Sequence, residues 1–221
     1  MQLTEQFRPT TWASVIGQSK AIATIDRLRQ RGLAGRAFWI SGQSGTGKTT
    51  IARLIAGELA SPENILEIDG SELTDRRADE IAMRLRALPL FGRGQVVIIN
   101  ESHGLDKSAI RRLLKHTEAE SIPSHACWIF TTTIEGGEIF SDKTDSDAFL
   151  SRCTSIPLSR RNLCDQFATA AVANCRSAGL LNGKPDEYYV QRAAGYLKKN
   201  GNNLRSLYQA AEGGYLTDSD E

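Results

Sequence analysis

The segment from Gly42 to Thr50 has the residue types and the spacing of a phosphate-binding loop. Four residues separate Gly42 from Gly47, and Lys48 and Thr49 follow directly. Glycines at these positions let backbone N–H groups turn around an anion, the lysine reaches the β- and γ-phosphates, and the threonine hydroxyl binds Mg²⁺. The apolar β-type stretch 37–40 precedes the loop, and the apolar-periodic stretch 50–60 follows it as a helix. Because both flanks fit, a plain glycine-rich turn is the weaker alternative. We therefore expect a nucleotide to bind at Gly42, Gln43, Ser44, Gly45, Thr46, Gly47, Lys48, Thr49 and Thr50.

A second stretch, VVIINESHGL at 96–105, places polar residues after four buried β-formers. Next to a phosphate-binding loop, such a strand brings one acidic residue to the metal and a second one to the attacking water. We expect Glu101 to activate water and Asn100 to take the metal-side position. The amide oxygen of Asn100 can hold a metal-bound water but adds no negative charge, which predicts slower hydrolysis than an aspartate would give. A strand that merely ends in a turn is the alternative. His103 has no partner at metal-ligand spacing and is expected to be a polar residue beside the nucleotide.

The pattern along the chain predicts an α/β fold followed by a smaller helical domain. Strand and helix patterns alternate up to Ile156, with helices expected at 77–90 and 105–120, and this predicts a parallel sheet with helices on both sides. From residue 157 the pattern contains only helices and turns. The expected domains are a nucleotide-binding domain at 1–156, a helical lid domain at 157–216 and a disordered acidic tail at 217–221.

Composition narrows the class of protein. A hydrophobic fraction of 40% with 24% charged residues is ordinary for a soluble globular chain, and a net charge of +1 neither requires nor excludes nucleic acid. The four cysteines have no C-x-x-C spacing, which favours reduced thiols in a cytosolic protein. No apolar run approaches the roughly 20 residues that span a bilayer, and the first ten residues are too polar for a signal peptide. We expect a cytoplasmic protein.

Six segments in order resemble the AAA+ ATPases of the clamp-loader group, which includes the small subunits of replication factor C and the gamma, tau and delta-prime subunits of bacterial DNA polymerase III. The segments are LTEQFRPTTWASVIGQ, FWISGQSGTGKTT, VVIINESHGL, WIFTTT, LSRC and GNNLRSL, and they cover nearly all of the chain. The resemblance implies a P-loop AAA+ fold that binds and hydrolyses ATP with Mg²⁺. It also implies that the strand at 96–101 is the Walker B strand, in which Asn100 departs from the usual aspartate.

The resemblance assigns further roles to single residues. It implies that the first segment wraps the adenine, through Arg8, Pro9, Val15 and Ile16. Thr132, with Thr133 beside it, corresponds to the sensor-1 residue, and Arg205 corresponds to the sensor-2 arginine of the lid. Arg152 corresponds to the arginine that reaches the ATP site of a neighbouring subunit. Taken without the resemblance, the threonines fit plain β-propensity and Arg205 fits a solvated helix face. The expected catalytic residues are thus Lys48, Glu101, Thr132, Arg152 and Arg205, and the expected metal ligands are Thr49 and Asn100.

The resemblance also implies partners: a homo- or hetero-oligomeric ring or arc, a sliding clamp, and DNA. Basic side chains on two expected helices could follow DNA phosphates, although acidic neighbours also fit a mixed, solvated face. These side chains are Arg76, Arg77, Arg84, Arg86, Lys107, Arg111, Arg112 and Lys115. No zinc insertion and no third helical domain are visible, so we expect either a part of a longer chain or subunits that associate through their ATPase faces alone.

Two other functions are alternatives to the AAA+ ATPase. One is a nucleotide-holding structural subunit that hydrolyses little and supplies Arg152 to a neighbour. The other, a small-molecule kinase, leaves the LSRC segment unexplained and is disfavoured.

Overall fold

The computed structural model describes residues 1–89, 92–133 and 143–217. Contacts along the chain divide it into two units. The sheet unit comprises Ser19–Gln43 and Gly47–Leu158, and the helical unit comprises Met1–Gln18, Ser44–Thr46 and the residues from Ser159 onward. The sequence-based boundary at 156/157 had grouped the first 18 residues with the sheet. The tail expected at 217–221 lies outside the described residues from position 218.

The sheet unit contains a five-stranded parallel sheet. Its strands are β1 (Arg36–Ser41), β2 (Ile65–Asp69), β3 (Gln95–Asn100), β4 (Ala126–Thr132) and β5 (Thr154–Pro157). The spatial order is β2-β3-β4-β1-β5, and every pairing is parallel. Because parallel strands need crossover connections, helices follow the strands along the chain. This arrangement confirms the predicted α/β fold class.

Helices alternate with these strands and continue beyond them. In chain order they are α1 (Leu3–Gln6), α2 (Ser19–Arg29), α3 (Lys48–Leu59), α4 (Asp75–Arg86), α5 (Lys107–His116), α6 (Lys143–Arg152), α7 (Cys164–Ser177), α8 (Asp186–Lys199) and α9 (Leu204–Glu212).

Alternate strand residues build separate layers on the two faces of the sheet. On one face Trp39, Trp128 and Phe130 share a buried cluster with side chains of α4, α5 and α6, among them Leu113 and Phe149. Helix α3 lies against β1, β3 and β4, and the core residues of α3 do not belong to that cluster. The strands are therefore apolar on both faces, as a covered parallel sheet requires.

Two helices end earlier than the sequence pattern predicts. The helix expected at 77–90 ends at Arg86, and Ala87 has an extended backbone. Pro89 disfavours helical geometry at Leu88, so the helix could not have reached the predicted end at residue 90. The helix expected at 105–120 ends at His116, and Thr117 donates its backbone N–H to the carbonyl of Leu113.

The helical unit is held together by α7, α8 and α9 around a core that includes Phe167, Tyr189 and Leu197. The N-terminal segment joins this core through Leu3, with Phe7 and Ile16 packed against it. The backbone N–H of Leu3 also donates to Glu212 Oε1 at 2.6 Å. Among the residues that the structure describes, no helix has both the length and the apolar character needed to cross a bilayer.

Candidate functional site

The glycine-rich loop has the backbone geometry that its sequence predicts. Gly45 and Gly47 adopt left-handed conformations with φ of 79° and 94°, which residues with a Cβ rarely adopt. Gly47 is the N-cap of α3, so the first N–H groups of that helix point toward the loop. Lys48 is 7% exposed, and its Nζ donates to the carbonyls of Gly42 at 2.8 Å and Gln43 at 3.3 Å. The lysine ammonium is thus fixed at the loop, where an anion would meet both the charge and the helix dipole.

The centre of the loop, Ser44–Thr46, is held by other residues of the helical unit. Arg160 Nη1 donates to the Ser44 carbonyl at 2.7 Å, and Gln18 Nε2 donates to the Thr46 carbonyl at 3.2 Å. A Cβ on Gly45 would lie 2.3 Å from Asn203 Oδ1. Side chains far apart in sequence therefore fix the backbone of the loop, and sequence reasoning had missed Arg160 and Asn203.

Asn203 also caps α9, which carries Arg205. The Asn203 side chain accepts from the backbone N–H of Ser206 at 3.3 Å. The backbone nitrogen of Arg205 lies 3.7 Å from where a Cβ on Gly45 would be, and the Arg205 side chain is exposed. Within the helical unit, the first turn of α9 therefore lies beside the middle of the loop.

The segment expected to wrap the adenine has varied surroundings. Arg8 forms an ion pair with Glu5, Ile16 packs against the helical core, and Pro9 and Val15 are half-buried. Their role toward a nucleotide remains a prediction.

The loop begins beside the end of β4. Ser41 of β1 is paired in register with Thr132 of β4, and the N–H of Gly42 donates to the Thr132 carbonyl at 3.2 Å. Because all strands run parallel, the carboxyl ends of β1, β3 and β4 lie along one side of the sheet, which we call the carboxyl edge. The loop, Asn100 and Thr132 are therefore brought together there, as the sequence predicts.

Glu101, directly after β3, has a strained backbone. Its φ and ψ are both 48°, a left-handed conformation that costs free energy for any residue with a Cβ. Its Oε2 lies 3.4 Å from His103 Nδ1 and 3.5 Å from Thr133 Oγ1. Strain of this kind persists only where the surrounding structure fixes the backbone, and about half of the Glu101 side chain is exposed.

The threonines at the end of β4 divide between the two faces of the sheet. Thr131 Oγ1 donates to Asn100 Oδ1 at 3.0 Å, Thr133 Oγ1 lies 3.5 Å from Glu101 Oε2, and the Thr132 side chain is fully buried with its Oγ1 3.5 Å from His103 Nδ1. The resemblance assigns the sensor-1 role to Thr132, with Thr133 beside it. The Thr133 hydroxyl thus meets the Glu101 carboxylate directly, and the Thr132 hydroxyl meets His103, whose Nδ1 lies 3.4 Å from the same carboxylate oxygen.

Asn100 is bound through both ends of its amide. Its Nδ2 donates to Glu67 Oε1 at 2.7 Å, and its Oδ1 accepts from Thr131 Oγ1 at 3.0 Å. Glu67 in turn accepts from Arg53 of α3, from Nε at 2.9 Å and from Nη2 at 3.2 Å. Sequence reasoning had missed this network, because only the order of the strands places β2 next to β3.

A further carboxylate lies at the carboxyl edge. Asp69 is paired in register with Asn100, and its Oδ1 accepts from the Ser71 hydroxyl at 2.6 Å and from the Ser71 backbone N–H at 2.9 Å. Both hydrogen bonds hold the pKa of Asp69 below its usual value, and the bond from the Ser71 hydroxyl has the larger effect. Asp69 is therefore charged at neutral pH and adds to the negative field near Asn100.

The donors at this edge fit a magnesium ion that is held mainly by phosphate and water. Thr49 is half-buried as the second residue of α3, and Asn100 Oδ1 keeps one lone pair beyond its bond from Thr131. Within the described ranges, no three His, Cys, Asp or Glu side chains cluster as a metal site. A Mg²⁺ ion bound to a nucleotide needs only one or two protein ligands, because phosphate oxygens and water molecules supply the rest.

Arg152 lies at the opposite side of the sheet, where the strands begin, which we call the amino edge. It ends α6, just before β5, in which Thr154 pairs with Phe38 and Pro157 pairs with Ser41. Three strand steps of about 3.3 Å each, roughly 10 Å in all, separate the start of β5 from the level at which the loop begins. Arg152 Nη1 donates to the Ala148 carbonyl at 2.6 Å, and its Nη2 lies 3.6 Å from Glu118 Oε1. The structure therefore does not bring Arg152 to the loop of its own chain.

The basic side chains on α4 and α5 form a mixed face. Ion pairs join Arg76 to Glu80, Arg77 to Glu72, Arg111 to Asp145 and Arg112 to Asp79. Such exposed pairs contribute little stability and exchange readily with other partners.

A family model matches residues 38–156, slightly more than half of the chain; its description is ATPase family associated with various cellular activities (AAA). Among curated proteins, DNA polymerase III subunit gamma of Buchnera aphidicola (subsp. Baizongia pistaciae) is 30% identical over 184 residues, which is 73% of this chain and 47% of the relative. DNA polymerase III subunit tau of Escherichia coli is 30% identical over 154 residues, 59% of this chain and 24% of the relative. These matches confirm the resemblance that the six segments predicted, and this chain spans less than half the length of either relative.

Solved structures show a similar fold. The RuvB Holliday junction branch migration motor of Thermotoga maritima superimposes with a TM-score of 0.66 at 22% identity, covering 93% of this chain and 64% of that one. A RuvB mutant from the same source gives a TM-score of 0.67 at 21% identity, covering 94% and 65%. At this level of identity the likeness concerns the fold alone.

Proposed function

Because this chain belongs to the AAA ATPase family, we propose that it binds ATP with Mg²⁺, hydrolyses it slowly, and works as a subunit of an oligomeric assembly in DNA replication. The observation that carries the proposal is the meeting of the loop with Glu101 and the β4 threonines at the carboxyl edge. A nucleotide held by the loop would place its γ-phosphate near a carboxylate and a hydroxyl.

Each residue at the edge has a task in this proposal. The loop N–H groups and Lys48 hold the phosphates, and Thr49 with Asn100 face the metal side. Glu101 orients the attacking water and accepts its proton, and Thr133 fixes the Glu101 carboxylate by hydrogen bonding. Mg²⁺, when bound, supplies positive charge that offsets the charge on the phosphate oxygens.

Assembly with other subunits is proposed because Arg152 lies at the amino edge of the sheet, away from its own loop. An arginine there can serve a loop on an adjacent chain, and arginines of this kind accelerate phosphoryl transfer by about 10³ to 10⁵. The curated relatives are DNA polymerase III subunits, which supports a role beside a sliding clamp and DNA. The ion-paired arginines of α4 and α5 would then exchange carboxylates for DNA phosphates.

A structural subunit with little hydrolysis of its own is the second candidate. It is favoured by Asn100, because both ends of its amide are already bonded and its side chain brings no charge to the metal. Both candidates share nucleotide binding and differ in turnover.

The first experiment measures the affinity for a fluorescent ATP analogue and steady-state turnover, with and without DNA. Lys48→Ala should weaken nucleotide affinity by roughly 10- to 100-fold, because a charge-assisted contact to phosphate is lost. Glu101→Gln should keep the affinity and lose turnover. Unchanged affinity in a folded Lys48→Ala protein would contradict the proposed loop function. Tight binding without turnover in the wild type would favour the structural subunit.

The second experiment tests Arg152 by mixing two inactive variants. Arg152→Ala binds ATP but lacks the arginine, and Lys48→Ala supplies the arginine but cannot use ATP. Turnover should return in the mixture if the arginine acts across an interface. Variants that co-assemble by size-exclusion chromatography and remain inactive would count against action in trans.

A further inference from the structure

The carboxylate of Glu67 in β2 is bound by Arg53 as well as by Asn100. Arg53 donates to both carboxylate oxygens, from Nε to Oε2 and from Nη2 to Oε1, and only 28% of the Glu67 side chain is exposed. A two-point contact with a planar guanidinium sets the plane of a carboxylate. The oxygen that Asn100 meets therefore has a defined position.

This arrangement decides which way the Asn100 amide points. A carboxylate only accepts hydrogen bonds, so the Asn100 atom that lies 2.7 Å from Glu67 Oε1 must be the NH₂ group. The amide oxygen then faces Thr131, which is 1% exposed and donates at 3.0 Å. The second lone pair of that oxygen is left to face the carboxyl edge.

We propose that Glu67 is a positioning residue that orients Asn100 and carries the negative charge that an aspartate at position 100 would otherwise carry. Positions 67 and 100 then form one unit with a single carboxylate, placed on β2 instead of β3. The part of this proposal that concerns Mg²⁺ rests on the proposed nucleotide site, and the pairing of the two residues does not.

The proposal predicts how substitutions at the two positions combine. Asn100→Asp alone would place two carboxylates 2.7 Å apart. Both groups would be hydrogen-bond acceptors with the same charge, so they would repel each other. Glu67→Gln combined with Asn100→Asp keeps one charge and one hydrogen bond, with the donor and acceptor exchanged. The double variant should therefore regain what the Asn100→Asp variant loses.

The experiment compares wild type, both single variants and the double variant by two measurements. The first is the Tm without nucleotide, and the second is the Mg²⁺ midpoint for binding a fluorescent ATP analogue. Asn100→Asp should lower the Tm by about 3–8 °C, and adding Glu67→Gln should recover at least half of that loss. Glu67→Gln alone should raise the Mg²⁺ midpoint about three- to tenfold, since it removes a charge near the ion. The double variant should return the midpoint to within about twofold of wild type.

Glu58→Gln is a matched control for the loss of an arginine-bound carboxylate. Glu58 of α3 accepts from Arg29 Nε at 2.7 Å and from Nη2 at 2.6 Å, and 29% of its side chain is exposed. The Glu58→Gln variant should shift the Tm about as much as Glu67→Gln does and should leave the Mg²⁺ midpoint unchanged.

The two measurements separate the possible failures. Additive Tm shifts at positions 67 and 100 would overturn the pairing, whatever the nucleotide data show. Equal Mg²⁺ midpoints for Glu58→Gln and Glu67→Gln would overturn the positioning role. A wild-type protein that binds no nucleotide would overturn the proposed function and the Mg²⁺ part together, while the Tm cycle would still decide the pairing.

Discussion

Replacing Glu101 by glycine should stabilise the protein while abolishing its turnover. Glu101 has φ and ψ of 48°, and the left-handed conformation costs roughly 1–2 kcal/mol for a residue with a Cβ. Glycine has no such cost in the folded state. The prediction tests whether the strain at this position is maintained for the position of the carboxylate.

Two losses reduce the expected gain in stability. Glycine gives the unfolded chain more conformational freedom, which costs about 0.5–1 kcal/mol. The contacts of Glu101 with His103 at 3.4 Å and Thr133 at 3.5 Å also disappear, and because 46% of the side chain is exposed they contribute only a few tenths of a kcal/mol. The net gain should be about 0.5 kcal/mol, equivalent to roughly 1–2 °C in Tm for a chain of this size.

The assay combines urea unfolding of the nucleotide-free protein with steady-state ATP turnover. Glu101→Gln is the matched control, because it keeps the Cβ and therefore the strain while removing the charge. It should match the wild type in stability within a few tenths of a kcal/mol and lose about 10²- to 10⁴-fold in turnover, the usual effect of losing a general base. Asn162→Gly tests another left-handed position, with φ of 59°, where asparagine already tolerates the conformation and the gain should be smaller.

Two results would refute the reasoning. If Glu101→Gly is less stable than Glu101→Gln, the left-handed backbone is not a source of strain. If Glu101→Gly retains wild-type turnover, the carboxylate has no part in the reaction and the strain has another cause.

Three other properties can be checked on the same protein. Gly70→Ala should destabilise the protein by about 1–3 kcal/mol, because the new Cβ would lie 2.8 Å from the backbone oxygen of Glu101. Gly57→Ala in α3 is the control: its Cβ would have open space around it, so this variant should be neutral or stabilising. Equal urea midpoints for the two variants would contradict the close approach at Gly70. Burial raises the pKa of the Cys153 thiol to about 12, so this cysteine should react with Ellman's reagent near neutral pH much more slowly in the native protein than after unfolding. Labelling located at Cys153 by mass spectrometry at the same rate in the native and the unfolded protein would disprove its protection. A hydrogen bond with His116 lowers the pKa of Asp79, so Asp79 stabilises the fold above the ordinary aspartate pKa of about 4 and loses that contribution as the pH falls through its lower folded value. The stability difference between wild type and Asp79→Asn should therefore shrink on acidification, and a difference independent of pH would exclude this linkage.

Local sequence patterns were sufficient for features that depend on neighbouring residues. The loop at Gly42–Thr50 could be predicted because its glycines, its lysine and both flanking elements are consecutive in the chain. The parallel sheet could be predicted because short apolar stretches, rich in β-branched or aromatic residues, alternate with helix patterns. Helix ends were less predictable, as α4 shows, since one proline outweighed an apolar pattern that continued past it.

Features that depend on strand order or on single-residue register could not be predicted. The contact between Glu67 and Asn100 exists only because β2 lies beside β3, and 32 residues separate the two in sequence. The approach of Thr133 to Glu101 depends on which face each threonine occupies, and a shift of one residue reverses that face. The packing of Leu3 in the helical core has no local signal, because its partners lie at the other end of the sequence.

That last contact has a consequence for the order in which the protein is made. The N–H of Leu3 meets Glu212, 209 residues later, so Leu3 can make this contact only after the chain has been synthesised through Glu212. Residues 19–158, apart from the three at the centre of the loop, contain all five strands and their pairings, and are synthesised before α7 begins. The sheet can therefore form on the ribosome while Leu3, Phe7 and Ile16 remain exposed to solvent and to chaperones. Completion of the helical core should therefore follow formation of the sheet, and its rate should depend on closing the loop between Leu3 and Glu212, which are 209 residues apart.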